Sequence, residues 1–277
     1  ARSGTTLLRL MLDAHSELAI PPETHFLPAV LSLRELGEVE RDLFAERVMS
    51  FFTWNDFGID ERDFLAALAE LRPFDLAAGI RCFYRLYAGR HGKCRWGDKT
   101  PPYVNHVAAI TECLAEAHIV HLIRDGRAVA ASRRHLDFGP GPEIRAQAED
   151  WSGSIRAARA QARSCPHYLE VRYEQLVRRP KATIRTVCDF LELPFEPEMM
   201  SYFQRAPQRL QEFRDWRTPD GEVVRSGRDR IAIHQRVLRP PDPTRIDHWR
   251  YELESDEIAI FESVAGDLLI DLGYDAR

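Results

Sequence analysis

Lysine is nearly absent from this sequence. Only Lys93, Lys99 and Lys181 stand among the 38 basic residues of a 277-residue chain, so arginine supplies almost all of the positive charge. Because arginine fills the ordinary surface positions, a lysine inside a chemical motif is less readily explained as surface filler. Lysine and arginine also differ in geometry and hydration, so the choice of lysine at such a place is informative.

An excess of positive charge is missing as well. The 38 basic residues face 43 acidic ones, which leaves a net charge of −5. A nucleic-acid-binding surface needs a basic excess, so the composition predicts no nucleic-acid partner, while a local anion pocket stays open. No run approaches the roughly eighteen apolar residues of a membrane-spanning helix, and we expect no membrane span in this chain.

Cysteine motifs are missing too. The five cysteines are odd in number and form no C-x-x-C pair, which argues against a disulfide framework or a zinc knuckle. Three histidines near Cys113 (His106, His118 and His121) fit no standard ligand spacing, so we expect no metal. A reducing cytoplasm is the simplest setting. The first residue is Ala1 rather than Met, so a signal or anchor ahead of it stays open.

Apolar patterning divides the chain into alternating strands and helices. Short apolar runs at residues 117–123 and 168–173 are each followed by a helical pattern, which predicts an α/β fold with a mainly parallel central sheet flanked by helices. The patterns further predict a helical insertion at residues 27–92, a long surface loop at residues 205–243 and a closing helix at residues 256–272. We expect the whole chain to form one domain.

The segment Arg2–Thr6, which we call the phosphate loop, directly precedes an apolar helical pattern. Its small residues, its hydroxyls and the unpaired N–H groups of a helix start would together cradle an anion. The segment is similar to a P-loop, but Gly4 is followed by Thr5 where an ATP-binding loop has lysine. This difference weakens a kinase interpretation, and a simple helix cap is the structural alternative.

Three blocks together resemble the sulfotransferases that use 3′-phosphoadenosine 5′-phosphosulfate (PAPS), especially the bacterial branch and the tyrosylprotein sulfotransferases. The phosphate loop is similar to the family's 5′-phosphosulfate loop, Arg124 with Ser132 to its 3′-phosphate motif, and Tyr173 to the start of its later strand–helix block. The segment Gly97–Pro101 also fits. The resemblance implies a P-loop-like three-layer fold, with a strand ahead of the phosphate loop that we expect to be missing from this chain.

The resemblance also implies how a nucleotide is held. PAPS would be the co-substrate and 3′-phosphoadenosine 5′-phosphate (PAP) the product, with positive charge from arginine, lysine and a helix start in place of a metal. The residues expected to bind this nucleotide are Arg2, Ser3, Gly4, Thr5, Thr6, Arg124, Ser132 and Tyr173.

In-line sulfuryl transfer needs a base for the acceptor and positive charge at the leaving oxygen. Glu23 matches the family's carboxylate base, and Lys99 is the expected cation, with Arg2 as a second candidate for the sulfonate oxygens. His25 is an alternative base, because the small-molecule branch uses histidine, or a neighbour that shapes acceptor binding. The tyrosylprotein sulfotransferases have a serine that contacts the reaction centre. Asp247 is the nearest match to that serine in this sequence, so we expect it to contact the substrate.

The sequence does not choose the acceptor. The resemblance implies a hydroxyl of a metabolite, glycan, lipid or peptide tyrosine, so the partner is a small molecule or a peptide; a homodimer stays open. A non-catalytic nucleotide-binding module and a P-loop kinase are the competing hypotheses. A module needs neither Glu23 nor Lys99, which argues against it. Residues 27–92 and 205–243 are expected to wall the acceptor pocket, because loops and insertions carry specificity on a fixed scaffold. Aromatic residues of the insertion, such as Phe52, could line an apolar site, although at helical spacing most of them are more typical of core.

Overall fold

The computed structural model of the chain describes residues 1–37, 39–134, 139–218 and 220–275. Helices outweigh strands in these ranges. The α-helices are α1 (Thr5–Asp13), α2 (Leu27–Leu31), α3 (Arg41–Met49), α4 (Glu61–Ala69), α5 (Leu76–Arg90), α6 (Val107–Cys113), α7 (Gly126–Arg133), α8 (Ile144–Ala162), α9 (Tyr173–Arg178), α10 (Pro180–Phe190), α11 (Ala206–Leu210), α12 (Gly227–Ala232), α13 (Trp249–Glu252) and α14 (Ser255–Asp271). Short 3-10 turns lie at Ser32–Leu36, Trp54–Asp56, Pro101–His106, Pro197–Gln204, Gln235–Leu238 and Pro243–Arg245.

The strands form three small sheets within the described part of the chain. The sheets are the parallel pair β1 (Leu18–Ala19) with β2 (Arg95–Trp96), the parallel pair β3 (Ile119–Ile123) with β4 (Tyr168–Arg172), and the antiparallel pair β5 (Trp216–Arg217) with β6 (Val223–Arg225). The parallel pairs alternate with helices along the chain, which confirms the predicted α/β fold. Strands β3 and β4 end immediately before Arg124 and Tyr173, so the sheet fixes the backbone positions of both residues.

Helix α1 begins at the phosphate loop and is buried in the molecule. Residues 6–13 are all buried, because β1 and the 3-10 turn at Pro197–Gln204 both pack against this helix. Gly4 precedes α1 with a φ of +85°, a left-handed conformation that glycine adopts without steric cost. The loop therefore turns sharply into the helix at a half-buried position.

Residues 27–92 have a hydrophobic core of their own. Helices α2 to α5 occupy this range, which confirms the predicted helical insertion. Its buried aromatic side chains Phe44, Phe64, Phe83 and Tyr84 pack together, and Phe26, just ahead of this range, packs against Phe83 and Tyr84. The dense packing gives the insertion a fixed shape beside the sheet.

A cavity of about 620 Å³ lies between the two parallel strand pairs. Leu18 and Ile20 line it from one pair, Val120 and Leu122 from the other, and Ala1 also contributes to its lining. The strand that the resemblance implies ahead of the phosphate loop stays a prediction. It would have to lie in this cavity to pair with both neighbours.

Residues 205–243 do not form the long surface loop that their composition predicts. They contain α11, α12 and the β5–β6 hairpin. Arg230 of α12 pairs with the buried Asp56 of the insertion, with Nη2 and Oδ2 2.6 Å apart, and Phe213 is buried. The prediction is wrong because elements as short as two to six residues show no periodicity and are held by distant contacts.

Helix α14 closes a further core with α7 and α8. Phe261 and Leu268 are among its buried side chains, and the helix confirms the one predicted at residues 256–272. Among the residues that the structure describes, no helix combines the length and apolar character that crossing a bilayer requires.

Candidate active site

A cleft of about 1,140 Å³ opens at the start of α1. The structure brings most of the predicted site residues to it: Arg2, Gly4, Thr5, Thr6, Glu23, His25, Arg124, Ser132 and Tyr173 all line this cleft. Lys99 lies directly behind Glu23, and Ser3 faces the neighbouring cavity between the strand pairs. Residues far apart in the sequence therefore meet as the motifs predict, with the exception of Asp247.

Backbone strain marks the phosphate loop. Arg2 has a φ of +65°, which is uncommon for a residue with a side chain. A Cβ atom at Gly4 would lie 2.4 Å from the ring of Tyr173, so only glycine allows the loop to approach that ring. Gly4 is also the N-cap of α1 and has no side chain with which to cap it. The N–H groups of the first helical turn are therefore suited to an anion.

The predicted 3′-phosphate motif contacts the phosphate loop directly. Arg2 Nε donates a hydrogen bond of 3.1 Å to Ser132 Oγ on α7, and Arg124 Nη1 donates one of 3.1 Å to the Arg2 carbonyl oxygen. The Arg124 guanidinium also lies over the Tyr173 ring, 4.7 Å from its centre. These contacts hold four of the predicted residues in one cluster.

Asp125 does not neutralise Arg124. Its Oδ2 pairs with Arg127 Nη2 at 2.8 Å, and the Arg127 guanidinium lies 4.1 Å from the centre of the Trp249 ring. Within the described part of the chain, the buried Nε of Arg124 has no hydrogen-bond partner. Because the adjacent acid is bound elsewhere, the charge of Arg124 stays available to an anion in the cleft.

Two further arginines, Arg236 and Arg245, line the cleft near this cluster. Burial lowers the pKa of Arg236, and the charges of Arg245 and Arg124 lower it further. Like charges this close together favour an anion among them. We call Arg2, Arg124, Arg236 and Arg245 the basic end of the cleft. No sequence motif marks Arg236 or Arg245, because their segment is rich in arginine and its composition singles out none of them as a site residue.

Glu23 and Lys99 form an ion pair beside the start of α1. Lys99 Nζ contacts Glu23 Oε1 and lies 3.5 Å from Thr6 Oγ1, and His25 Nε2 lies 3.2 Å from Glu23 Oε2. Burial raises the pKa of the Glu23 carboxyl, but Lys99 and His25 lower it by more, so the net pKa is lowered and Glu23 is ionised at neutral pH. Burial lowers the pKa of Lys99, and Glu23 offsets this effect only in part.

A buried hydrogen-bond network connects the residues that lie next to Glu23 and Lys99 in the sequence. Thr24 Oγ1 donates a hydrogen bond of 2.7 Å to Asp98 Oδ2, and Tyr84 donates one of 2.9 Å to the same oxygen. Because Thr24 follows Glu23 and Asp98 precedes Lys99, the contact fixes the spacing of the two catalytic candidates. The sequence pattern gave no role to either neighbour.

A second support holds the chain just ahead of Glu23. Arg9 Nε and Arg209 Nη2 both donate hydrogen bonds to the Ile20 carbonyl oxygen, at 3.0 and 3.2 Å, and Asp13 Oδ1 accepts one of 2.9 Å from the Ile20 N–H. Arg9 and Asp13 belong to α1. The helix that begins at the phosphate loop therefore also positions the approach to Glu23.

Apolar side chains surround the far side of Glu23. The rings of Phe52 and Trp216 lie 4.9 Å apart edge to face, and the His25 ring lies 5.5 Å from that of Phe52. Val224 and Ile233 are exposed and line the cleft beside Trp216. We call Trp216, Val224 and Ile233, which line the cleft, together with Phe52, which packs against Trp216, the apolar end of the cleft. Phe52 is 42% exposed and is therefore not one of the core aromatic residues of the insertion.

Asp247 lies away from the cluster that it was expected to join. Its Oδ2 is 3.6 Å from Arg178 Nη2 and its Oδ1 is 3.9 Å from Arg250 Nε, on the protein surface. His234 lines the cleft instead, with its ring stacked on Phe213 at 5.3 Å. Burial lowers the pKa of His234 to about 3, with a further contribution from Lys99, so its ring is neutral. No motif in the sequence marked this histidine.

With this geometry in place, comparison with known proteins identifies the family. The model of a family described as the sulfotransferase family matches residues 1–197. The chain belongs to the sulfotransferase family.

Individual sulfotransferases are similar over nearly the whole chain. It is 26% identical over 99% of its length to Protein-tyrosine sulfotransferase A of Caenorhabditis elegans and spans 65% of that protein. It is 27% identical over 99% of its length to Nodulation protein NoeE of Sinorhizobium fredii and spans 64% of that protein. The sulfotransferase domain of the Synechococcus PCC 7002 olefin synthase is 26% identical, with a TM-score of 0.62 over 100% of this chain and 92% of that one. The last likeness agrees with the predicted P-loop-like fold.

Proposed function

We propose that the protein transfers a sulfuryl group from PAPS to an acceptor hydroxyl. The observation that carries this proposal is the Glu23–Lys99 pair at the start of α1, with Lys99 Nζ 3.5 Å from Thr6 Oγ1. A base and a cation are thereby adjacent at the point where a helix start favours an anion. This is the combination that sulfuryl transfer requires and that nucleotide binding alone does not.

The basic end would hold the two phosphate groups of the nucleotide. The phosphate loop, with Ser3, Gly4, Thr5 and Thr6, would bind the 5′-phosphosulfate through N–H and hydroxyl groups. Arg124 and Ser132 would bind the 3′-phosphate, where a guanidinium can make paired charge-assisted hydrogen bonds. Arg2 contacts both elements through its side chain and its carbonyl oxygen, and it would reach the sulfonate oxygens.

The reaction assigns one task to each member of the ion pair. Glu23 would accept the proton of the acceptor hydroxyl while the acceptor oxygen forms its bond to sulfur. The bond between sulfur and the bridging oxygen breaks in the same step, and Lys99 would donate a hydrogen bond to that oxygen as negative charge builds on it. PAP and the sulfated acceptor leave, and Glu23 returns its proton to solvent.

The ion pair also suggests how the base is released. Without donor, Lys99 neutralises Glu23 and lowers the pKa of its carboxyl. A bound phosphosulfate would draw the Lys99 ammonium toward its oxygens, which weakens the pair and makes Glu23 a stronger base. His25, 3.2 Å from Glu23, would orient the carboxylate in this state.

Calorimetry with PAP and with Mg-ATP, followed by turnover of labelled PAPS with a panel of hydroxyl acceptors, tests the proposal. We expect PAP to bind more tightly than Mg-ATP and PAPS to be converted to PAP in an acceptor-dependent way. Tight magnesium-dependent ATP binding without PAP binding would instead support a P-loop kinase. PAP binding without turnover of any acceptor would support a non-catalytic module.

The lysine-poor composition supplies a matched control. Lys99→Ala should lower kcat by about 10²- to 10³-fold, the usual cost of removing a donor at a developing oxyanion. Lys181 is exposed on α10, and Lys181→Ala should leave kcat unchanged. Equal rates in the two variants would remove Lys99 from the mechanism.

A further inference from the structure

Charge is distributed unevenly along the cleft. The basic end groups arginines around the predicted 3′-phosphate site, and the charges of Arg124 and Arg245 act on Arg236 there. At the apolar end, Arg230 is bound by Asp56 through contacts of 2.8 and 2.6 Å, and Arg225 is also engaged in an interaction. The side of the cleft beyond Glu23 therefore offers little free charge to an anionic acceptor.

Apolar surface is concentrated at the same place. Val224 is 68% exposed and Ile233 is 36% exposed, and both line the cleft beside Trp216. Exposed apolar side chains that are contiguous with a cleft are typical of ligand contact, whereas scattered ones need no explanation. The Trp216 ring lies next to the His25 ring, with the two centres 6.2 Å apart, and His25 Nε2 lies 3.2 Å from Glu23 Oε2.

The floor of this apolar surface is rigid. The Arg230 guanidinium lies 4.4 Å from the centre of the Trp216 ring and is itself held by the buried Asp56. Phe52 packs on the edge of the same ring. The Trp216 ring is therefore fixed by an ion pair beneath it and a second aromatic ring beside it, as in a preformed contact surface.

We propose that the acceptor is an apolar hydroxyl compound, whose hydrophobic body lies against Trp216, Val224 and Ile233 while its hydroxyl reaches Glu23. The proposal rests on the sulfuryl transfer proposed above and selects among its acceptors. A glycan or an acidic peptide would leave its polar groups against apolar surface without partners, which disfavours them. An alkyl or aromatic body would instead gain by burial.

A homologous series of 4-alkylphenols tests this selectivity. With PAPS as donor, kcat/KM should rise about two- to threefold for each added methylene, because each one buries apolar area against Trp216, Val224 and Ile233. Val224→Ser should flatten this dependence. Val223→Ser is the matched control: Val223 is also exposed and precedes Val224 in β6, but among the described residues it is not one that lines the cleft, so the dependence should persist.

The outcomes separate this inference from the proposed function. A protein that binds PAP and turns over the parent phenol, but shows no dependence on alkyl length, would overturn the apolar acceptor alone. Faster turnover of a monosaccharide or of an acidic tyrosine peptide than of the longest alkylphenol would do the same. Absence of PAP binding in calorimetry would overturn the proposed function and the acceptor class with it.

Discussion

The basic end and the apolar end of the cleft are built in different ways. The basic end consists of arginines near a helix start, and the buried Nε of one of them, Arg124, has no hydrogen-bond partner among the residues that the structure describes. The apolar end consists of rings and branched side chains, and its buried Arg230 is neutralised by Asp56. The Glu23–Lys99 pair lies where the two ends meet, so it can act on groups bound at either one.

This contrast separates two requirements of a transferase. A donor with two phosphate groups needs fixed positive charge, which backbone N–H groups and arginines provide. An acceptor is selected by a surface that can differ between relatives while the donor site stays the same. Substitutions should therefore divide into three classes, those that change donor affinity, those that change acceptor selectivity, and those that change kcat alone.

The largest effect is expected where the two ends meet. Glu23→Gln should lower kcat by about 10²- to 10⁴-fold, because the amide cannot accept the acceptor proton. PAP affinity should stay the same or increase, since Lys99 loses its partner and becomes free to bind phosphate. Steady-state kinetics and PAP calorimetry measure the two quantities separately.

The exposed Glu112 of α6 is the control for this substitution, and Glu112→Gln should change neither quantity. Full activity in Glu23→Gln would transfer the role of base to His25, the alternative that the sequence leaves open.

The next effect is confined to the basic end. Arg124→Lys replaces a paired donor by a point charge and should weaken PAP binding about 10- to 100-fold, the usual range for lost charge-assisted hydrogen bonds. The acceptor KM should not change. Arg134, which contacts Glu257 on the surface, is the matched control for this substitution. An acceptor KM that rises in parallel with the PAP dissociation constant would show that the two ends are not independent.

The two ends also differ in how far the sequence predicts them. The basic end depends on contiguous motifs, and the hydrogen bond between Arg2 and Ser132 joins residues 130 positions apart as the motifs imply. The α/β fold and the helical insertion followed from periodicity for the same reason, because long elements repeat a pattern. Local sequence was sufficient for prediction wherever each motif or element lies within one continuous segment.

For the apolar end, the sequence indicated two segments, residues 27–92 and 205–243, and several aromatic candidates, but not which side chains meet. Phe52 comes from the insertion, Trp216 and Val224 from a hairpin, and Ile233 from the end of α12. Each is an ordinary apolar residue in its own segment, and only the tertiary fold places them together. Asp247 illustrates the opposite case: its position near Trp249 predicts a substrate contact, but its exposed carboxylate lies beside Arg178 at the surface, so the contact stays a prediction.

A moderate effect is expected from the network behind the ion pair. Thr24→Val keeps the shape of the side chain but removes the hydroxyl that donates to Asp98 at 2.7 Å. We expect kcat to fall about tenfold with little change in either KM, since misplacement of a base costs rate rather than binding. The free energy of unfolding should fall by about 1–2 kcal/mol.

Thr111→Val separates the two consequences. Thr111 is buried, and its hydroxyl donates to the Val107 carbonyl oxygen within α6 at 3.0 Å, away from the cleft. This variant should show the stability loss without the loss of kcat. A Thr24→Val protein of normal kcat would mean that the network supports the fold and does not position Glu23.

The smallest expected effect is a change in the pH dependence of kcat/KM, which depends on the Glu23–Lys99 ion pair. With an aliphatic alcohol as acceptor, which does not titrate in this range, kcat/KM reports the free enzyme. The pKa of Glu23 lies below its ordinary 4.5, so the carboxylate persists and kcat/KM should stay flat from pH 8 down to pH 5. A fall in kcat/KM within this range would contradict a carboxylate base.

Burial lowers the pKa of Lys99, so this residue loses its proton below the ordinary 10.5 and the alkaline limb should lie below that pH. In Lys99→Arg the guanidinium stays protonated, and the alkaline limb should disappear even though the rate is lower. An alkaline limb that persists in this variant would assign it to a group other than Lys99.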